Sequence, residues 1–227
     1  MRFKVASYPP LLTTEQIQEI EMWINNYSRN VKTLSGREGC RIIEGQERLH
    51  VKICSAGGLF SKAPFIVRCT IGFRKCDQEV RTLRLAYRVG IQAPELVGKI
   101  VCRAGIFKLG LIVTKYIEGL NLIELAKSNQ AVAKKCFGEL EREIKKLFKH
   151  RLFHKDLHPG NVVVDNYGKV YLVDWASVSP RFVSQSTMAV DYTNRWRRAC
   201  IKYKLPGFLI SYFCEMMARL QANDSLY

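Results

Sequence analysis

The stretch HKDLHPGN occupies residues 154–161, and the apolar run VYLV at 170–173 leads directly into Asp174. The order reads H-x-D-x-x-x-x-N, followed by a short predicted strand that ends in a second Asp. Phosphoryl transfer needs one carboxylate to accept a proton from the attacking hydroxyl, and an amide and a second carboxylate to hold Mg²⁺ against nucleotide phosphates. The oxygen-bearing side chains of Asp156, Asn161 and Asp174 fit this requirement.

The same residues also have a simpler interpretation as a turn. Asp and Asn are common in turns because they bond their own backbone, and Pro159-Gly160 is an ordinary turn signal. The context nevertheless favours catalysis, because the loop lies between a helical pattern and two short apolar strands, with the second Asp at a strand end.

Composition limits the class of protein. A chain of 227 residues with 48% apolar residues forms one compact domain or two small lobes with a proper core. The net charge of +16 and the pI near 9.6 indicate an anionic partner: nucleic acid, an acidic membrane surface or a phosphorylated substrate.

Cysteine and histidine spacing argues against a metal centre built from these residues. The eight cysteines include no C-x-x-C pair, so we expect small buried apolar residues in a reducing cytosol. His150, His154 and His158 recur at four-residue steps, but Pro159 argues against one continuous helix there. No signal-peptide core opens the chain and no apolar run approaches about 18 residues, so we expect a cytoplasmic protein that is soluble or peripheral.

The periodicity predicts a β-rich first half and a helical second half. Residues 56–72 are expected to be irregular. The predicted strands lie near 31–35, 40–44, 49–54, 96–103 and 106–116, and the predicted helices near 14–28, 74–89, 121–128, 131–150, 190–204 and 207–221.

Lys52 stands in the middle of the alternating strand at 49–54. In nucleotide kinases such a Lys reaches the phosphates and is oriented by a Glu from a following helix. Glu79, 27 residues on, is the best candidate for that partner. The alternative is a solvated Lys on an edge strand.

The glycines ahead of this strand give a weaker signal. Gly36 and Gly39 lie in the predicted hairpin, where backbone amides are able to cover phosphates. The stretch is not a G-x-G-x-x-G, and glycine at a hairpin turn needs no ligand to explain it.

Taken together, this order resembles the protein-kinase-like fold, in its compact atypical branch. HKDLHPGN is similar to the H-G-D-L-H-x-x-N loop of small-molecule and lipopolysaccharide-core kinases, and residues 86–96 and 116–119 resemble segments of the same bacterial families. Within that branch the chain resembles the lipopolysaccharide core heptose/Kdo kinases. The resemblance implies an α+β bilobal fold. Residues 1–118 would form the N-lobe, an antiparallel sheet with one long helix, and residues 119–227 would form a reduced helical C-lobe.

The resemblance also implies ATP and Mg²⁺ and assigns roles to the predicted site. His154 would be a structural member of the loop. The implied roles are Asp156 as the catalytic base, Asn161 and Asp174 as Mg²⁺ ligands, Lys52 paired with Glu79 on the ATP phosphates, Gly36 and Gly39 near those phosphates, and Thr114, Tyr116 and Glu118 lining the adenine pocket.

Several positions depart from the motifs of protein kinases, and these departures indicate which kind of acceptor the chain uses. Lys155 stands where those enzymes usually have Arg, Asp174-Trp175-Ala176 replaces D-F-G, and no A-P-E follows. The short remainder after Asp174 favours a saccharide hydroxyl, in a heptose or Kdo, over a protein. The alternatives are a compact Ser/Thr protein kinase, regulatory or secreted, and a non-catalytic nucleotide-binding module.

The predicted partner is therefore an anionic saccharide or glycolipid. Cations and aromatics alternate at 195–204 before an apolar run at 205–213, a pairing that suits the inner face of the inner membrane. A core helix with a solvated basic flank explains the same pattern. No nucleic-acid reader motif is present, and no feature indicates an obligate protein partner.

Overall fold

The computed structural model describes residues 2–30, 39–55, 64–181 and 184–224. The chain divides into two compact units, the first comprising Met1–Arg84 and Glu95–Tyr116 and the second comprising Leu85–Pro94 and Ile117–Tyr227. The lobe boundary between residues 118 and 119 stays a prediction.

The first unit is built on an antiparallel sheet. Its strands are β1 (Lys4–Ser7), β2 (Cys40–Ile43), β3 (Leu49–Cys54), β4 (Leu96–Ala104) and β5 (Phe107–Lys115). They are ordered β1-β4-β5-β3-β2, so β3 and β5 are interior strands. The predicted strand at 31–35 lies outside the described residues.

Alternation along β3 separates its two faces. Leu49, Val51 and Ile53 are buried in the core of the unit. Since successive side chains on a strand point to opposite faces, Lys52 lies on the other face. The sheet therefore presents Lys52 away from this core.

Helix α1 (Thr14–Asn30) contributes to the same core and begins with a capping box formed by Thr13 and Gln16. The backbone N–H of Gln16 donates to Thr13 Oγ1 over 3.3 Å, and the N–H of Thr13 donates to Gln16 Oε1 over 3.0 Å. Three isoleucines at helical spacing are buried against the sheet: Ile17, Ile20 and Ile24.

Helix α2 spans Phe65–Arg88, nine residues more at its start than the sequence predicts. The expectation of irregular chain up to residue 72 is wrong for residues 65–72. Buried Cys69 and Cys76 continue the helical spacing through Gly72, which the periodicity treats as a break. The helix contains a glycine at this position because a side chain there would clash with the backbone of residues 54 and 55.

The second unit combines helices with two small sheets. A three-stranded antiparallel sheet has the order β6-β8-β9, and β7 pairs with β10. Their ranges are β6 (Gly119–Asn121), β7 (Leu152–His154), β8 (Val162–Asp165), β9 (Val170–Leu172) and β10 (Val178–Pro180), and the helices are α3 (Leu122–Ser128), α4 (Gln130–Lys135), α5 (Phe137–Lys149), α6 (Gln185–Lys202) and α7 (Phe208–Asp224).

The predicted single helix at 131–150 is wrong, because the chain forms α4 and α5 there. The break is at buried Cys136, whose thiol donates to the carbonyl of Ala133 over 3.0 Å. Helix α5 then buries one face, with Leu140, Ile144 and Leu147 in the core.

Helices α6 and α7 pack through aromatic side chains. Trp196 stacks on Phe213 with ring centroids 4.0 Å apart, and both are fully buried together with Leu209. The apolar run at 205–213 thus contributes to the core, as the alternative interpretation of that stretch expects. Within the described ranges, no helix combines the length and apolar character needed to cross a membrane.

Candidate functional site

The structure brings the predicted lysine and glutamate together in the first unit. Lys52 Nζ on β3 lies 2.7 Å from Glu79 Oε1 on α2. Glu79 is buried and Lys52 is half-buried. The pair fixes the position of the ammonium group, which is the arrangement that a phosphate-binding lysine needs.

Gly72 allows α2 to approach β3 closely enough for this pair. A Cβ at Gly72 would lie 2.5 Å from the carbonyl oxygen of Cys54 and 2.5 Å from the Cα of Ser55. Glu79 follows seven residues later, which is two helical turns and therefore the same face of α2. Because Gly72 has no side chain, α2 packs close to β3, and the Glu79 carboxylate reaches Lys52.

A neutral thiol borders the ion pair. A hydrogen bond with Cys76, followed by burial, raises the pKa of the Cys54 thiol well above its usual value. The negative charge of Glu79 adds to this rise and the positive charge of Lys52 opposes it. The thiol therefore stays protonated at neutral pH, and the charge that neutralises Lys52 comes from Glu79.

The predicted glycine loop is described only in part. Gly36 lies outside the described residues. Gly39 is buried, and its carbonyl accepts a hydrogen bond from the backbone N–H of Ile53 over 2.7 Å. Phosphate contact by these two glycines stays a prediction.

The residues assigned to the adenine pocket are engaged within their own units. Thr114 is buried in β5. The N–H of Tyr116 donates to the carbonyl of Arg48 over 2.8 Å, and the Arg48 guanidinium lies 4.5 Å from the centre of the Tyr116 ring. In the second unit, the Glu118 carbonyl accepts from the N–H of Asn166 over 3.3 Å. Adenine binding by these residues stays a prediction.

The HKDLHPGN loop is closed by its own asparagine. Asn161 Nδ2 donates to the carbonyl of Asp156 over 2.9 Å, and the carbonyl of Asn161 accepts from the N–H of Val173 over 3.0 Å. Leu157 is fully buried beneath the loop. The structure therefore brings Asp156 and Asn161 together and connects them to Val173, the residue before Asp174.

Asp174 adopts a left-handed backbone conformation, with φ 63° and ψ 60°. Asp tolerates this region better than most residues because its short polar side chain bonds locally. On one side β9 is held by the bond from Leu172 N–H to the Gln92 carbonyl, at 2.9 Å. On the other side Trp175 is fully buried and its Nε1 donates to the Leu172 carbonyl over 2.6 Å. The Trp thus anchors the turn that presents Asp174.

His154 links the start of the loop to this turn. Its ring is fully buried, and Nε2 lies 2.9 Å from the Val173 carbonyl, which accepts its hydrogen bond. Burial lowers the pKa of His154, while the Val173 carbonyl raises it in part. The imidazole is therefore neutral at pH 7, consistent with a structural role.

Helix α6 supplies two contacts that the sequence does not reveal. The Tyr192 hydroxyl accepts from the N–H of His154 over 3.0 Å and donates to the Leu152 carbonyl over 3.3 Å. One turn later, Arg195 Nη2 contacts Asp156 Oδ1. The only sequence signal for Arg195 is its place in a basic cluster, and nothing in that cluster indicates which side chain faces the loop.

His158 is the other group beside Asp156. Its Nδ1 accepts from the N–H of Gly160 over 3.0 Å, and its Nε2 lies 3.8 Å from Asp156 Oδ1. A Cβ at Gly160 would lie 2.8 Å from His158 Cε1, so glycine is needed for this ring position. Burial lowers the pKa of His158; Asp156 opposes this effect and Arg195 reinforces it.

The donor chemistry fits Mg²⁺. Asn161 uses its amide nitrogen on Asp156, and its Oδ1 accepts no hydrogen bond from the described residues. Together with the Asp174 carboxylate it offers hard oxygen donors. Mg²⁺ in nucleotide sites takes one or two protein ligands and completes its shell with phosphates and water. Such a site does not need three acidic or His/Cys ligands, and the described residues form no cluster of that kind.

Comparisons with known proteins point to a kinase-like chain. The model of the ABC1 atypical kinase-like domain family matches residues 106–190, which include Asp156, Asn161 and Asp174. A probable serine/threonine-protein kinase of Dictyostelium discoideum is 31% identical over 64 residues, which is 28% of this chain and 9% of that protein.

Solved structures show the same fold. The bifunctional kinase-methyltransferase WbdD superposes with a TM-score of 0.50 at 14% identity, covering 83% of this chain and 44% of that chain. A second, 2.2 Å structure of WbdD gives a TM-score of 0.51 at 13% identity, covering 83% and 45%. This chain thus spans less than half the length of the proteins it matches.

The predicted fold class is confirmed by these matches: the chain has a mixed helix and sheet architecture of the kinase-like type, with an antiparallel sheet. The matches also support a kinase of atypical kind. They do not distinguish the lipopolysaccharide-core group within such kinases.

Proposed function

We propose that this chain is an ATP- and Mg²⁺-dependent kinase that transfers the γ-phosphate to a hydroxyl of a saccharide, a heptose or Kdo of the lipopolysaccharide core. The observation that carries the proposal is the closed loop of the second unit. In it Asn161 bonds the backbone of Asp156, and the same segment is hydrogen-bonded to the residue before Asp174.

Each residue then has a defined part in the reaction. When bound, ATP supplies the phosphoryl group and Mg²⁺ neutralises the charge on its phosphates. Asp156 accepts the proton of the acceptor hydroxyl, and Asn161 and Asp174 hold the metal. Lys52, fixed by Glu79, binds the phosphates in the first unit. Catalysis is mainly positioning and charge stabilisation.

The chain that follows Asp174 supports a small acceptor. Ten residues, 175–184, join Asp174 to α6, and six of them form a 3-10 turn and β10. Strand β10 is paired with β7, so its backbone is already hydrogen-bonded. Little chain is left to hold an extended peptide, whereas a saccharide needs only hydroxyl and charge contacts.

The charge of the chain supports an anionic acceptor. A net charge of +16 favours association with Kdo carboxylates or existing phosphates. Arg197 and Arg198 are exposed on α6, and each basic residue near an anionic lipid surface contributes about 1 kcal/mol. We include in the proposal a cytoplasmic location with reversible contact to the inner membrane through such cations.

The test is transfer of labelled γ-phosphate from Mg·ATP to purified core oligosaccharide. We expect label in the oligosaccharide with the unaltered chain and none with Asp156→Asn. Oligosaccharide lacking heptose and Kdo phosphorylation sites serves as the acceptor control. Transfer to protein but to no core acceptor would overturn the saccharide assignment and leave kinase chemistry intact.

A compact protein kinase is the second candidate. The similarity to a probable serine/threonine-protein kinase over 64 residues favours it. In the same assay it predicts labelled serine or threonine, in this chain or in a lysate protein. Binding of Mg·ATP with no transfer to any acceptor would instead indicate a non-catalytic nucleotide-binding module.

A further inference from the structure

The contacts of Asp156 are one-sided. Arg195 Nη2 contacts Oδ1, and His158 Nε2 lies 3.8 Å from the same oxygen. Within the described ranges, Oδ2 has no hydrogen-bond partner. One carboxylate oxygen is therefore held by the protein, and the other is available to a ligand.

Arg195 makes this contact and no other hydrogen bond to the described residues. A guanidinium has five N–H donors. Here Nε is buried without a partner. Leaving a buried donor unpaired costs free energy, so the placement of Arg195 is not explained by a stabilising network.

Helix α6 fixes the place of Arg195 through its neighbours. Tyr192, one turn before, bonds the backbone of β7 on both sides of Phe153. Trp196, the next residue, is buried and its Nε1 donates to the Leu209 carbonyl over 2.9 Å. Helix α6 is therefore anchored at Tyr192 and at Trp196, and these contacts fix the position of the Arg195 guanidinium beside Asp156.

We propose that Arg195 is a positioning residue for phosphoryl transfer: it holds Oδ1 of Asp156 so that Oδ2 receives the proton of the acceptor hydroxyl. In this step the acceptor O–H bond breaks, the acceptor oxygen bonds to the γ-phosphorus of ATP, and the bond to the bridging oxygen breaks as ADP leaves. Arginine suits the role because a guanidinium stays protonated and cannot take the proton itself. The inference rests on the proposed function.

The experiment uses Mg·ATP hydrolysis, with water as the acceptor, so that it does not depend on identifying the saccharide. We expect Arg195→Gln to lower kcat at least tenfold with the KM for ATP within twofold of the unaltered chain. Arg195→Lys should recover part of the loss because it restores the charge. Arg142→Gln, an equal charge change at an exposed position of α5, should stay within twofold.

Chemical rescue separates positioning from folding. Arg195→Ala should regain activity on addition of guanidinium at millimolar concentration, whereas Asp156→Asn should not. An active chain in which Arg195→Gln keeps its kcat, loses only ATP affinity, or is not rescued by Lys or guanidinium overturns this inference alone. A chain that neither hydrolyses ATP nor transfers phosphate overturns the proposed function and the inference with it.

Discussion

Each unit contains an ion pair that includes a predicted site residue, and the two pairs differ in their exposure to water. In the first unit the side chains of Lys52 and Glu79 are 24% and 6% exposed. In the second unit those of Arg195 and Asp156 are 41% and 30% exposed. A buried carboxylate that loses its partner has no water to replace it, whereas a half-exposed one does. The first pair therefore contributes to stability as well as to ligand binding.

The pairs also differ in what they connect. Lys52 and Glu79 stand on a strand and a helix, whose regular spacing fixes both side chains. Asp156 stands on a loop, and its partner comes from a helix 39 residues later. One pair therefore forms with the fold of its unit, while the other leaves its carboxylate accessible for chemistry.

The largest expected effect is on turnover, from Asp156→Asn. An amide cannot accept the acceptor proton, so we expect kcat to fall by about 10²- to 10⁴-fold. The KM for ATP and the free energy of unfolding should change little, because the carboxylate is partly exposed. Steady-state kinetics and urea denaturation measure the two quantities. A large loss of stability would contradict the contrast between the pairs.

The second effect is on stability, from Lys52→Met. It leaves the buried Glu79 carboxylate without this cation, and we expect the free energy of unfolding to fall by about 3 kcal/mol. Arg195→Gln should cost less than about 1 kcal/mol.

A double-mutant cycle provides the control for Lys52→Met. Adding Glu79→Leu removes the stranded charge, so the double variant should regain part of the lost stability. Equal losses in Lys52→Met and Arg195→Gln would show that exposure does not separate the two pairs.

The same contrast decides what the sequence is able to predict. The Lys52 strand and the HKDLHPGN loop are short local patterns, so alternation and residue spacing locate them. Glu79 follows once a helix is assumed after the strand. The contact between Arg195 and Asp156 depends on how α6 packs against the loop, and no local spacing encodes it.

The missed helical turns have a similar cause. Gly72 is a weak helix former, so the periodicity predicts irregular chain around it. Gly72 allows α2 to pack against the backbone of residues 54 and 55, and this contact is long-range in sequence. The break at Cys136 is likewise set by burial, since the apolar pattern continues across it.

Gly72→Ala tests that contact and should have the third-largest effect. The added methyl would meet backbone atoms that cannot rotate away, so we expect a loss of about 1–3 kcal/mol in the free energy of unfolding. Gly138→Ala is the matched control, because a Cβ at Gly138 in α5 meets nothing within 4 Å and alanine favours a helix. Urea denaturation should give opposite signs for the two variants. A neutral Gly72→Ala would show that α2 does not depend on the close approach.

The last test concerns the response of stability to acid, which should come mainly from the second unit. Burial lowers the pKa of His154 and His158 there, and of His50 in the first unit, below the ordinary value of 6.5. As pH falls through 6.5 the unfolded chain takes up these protons before the folded chain does, so the unfolded state gains stability. The free energy of unfolding should therefore decrease from pH 7.5 to 5.5, by at most about 1.4 kcal/mol per pH unit for each proton.

Replacing the fully buried histidine identifies its share of this response. In His154→Gln the amide is still able to donate to the Val173 carbonyl but does not titrate, so the stability curve should be flatter between pH 7.5 and 5.5. His150→Gln, at an exposed position that follows α5, is the control. Urea denaturation at several pH values measures both slopes. If the chain became more stable on acidification, or if His154→Gln left the slope unchanged, the pH dependence of stability would not come from His154. The expected difference in acid response between the two units would then be wrong.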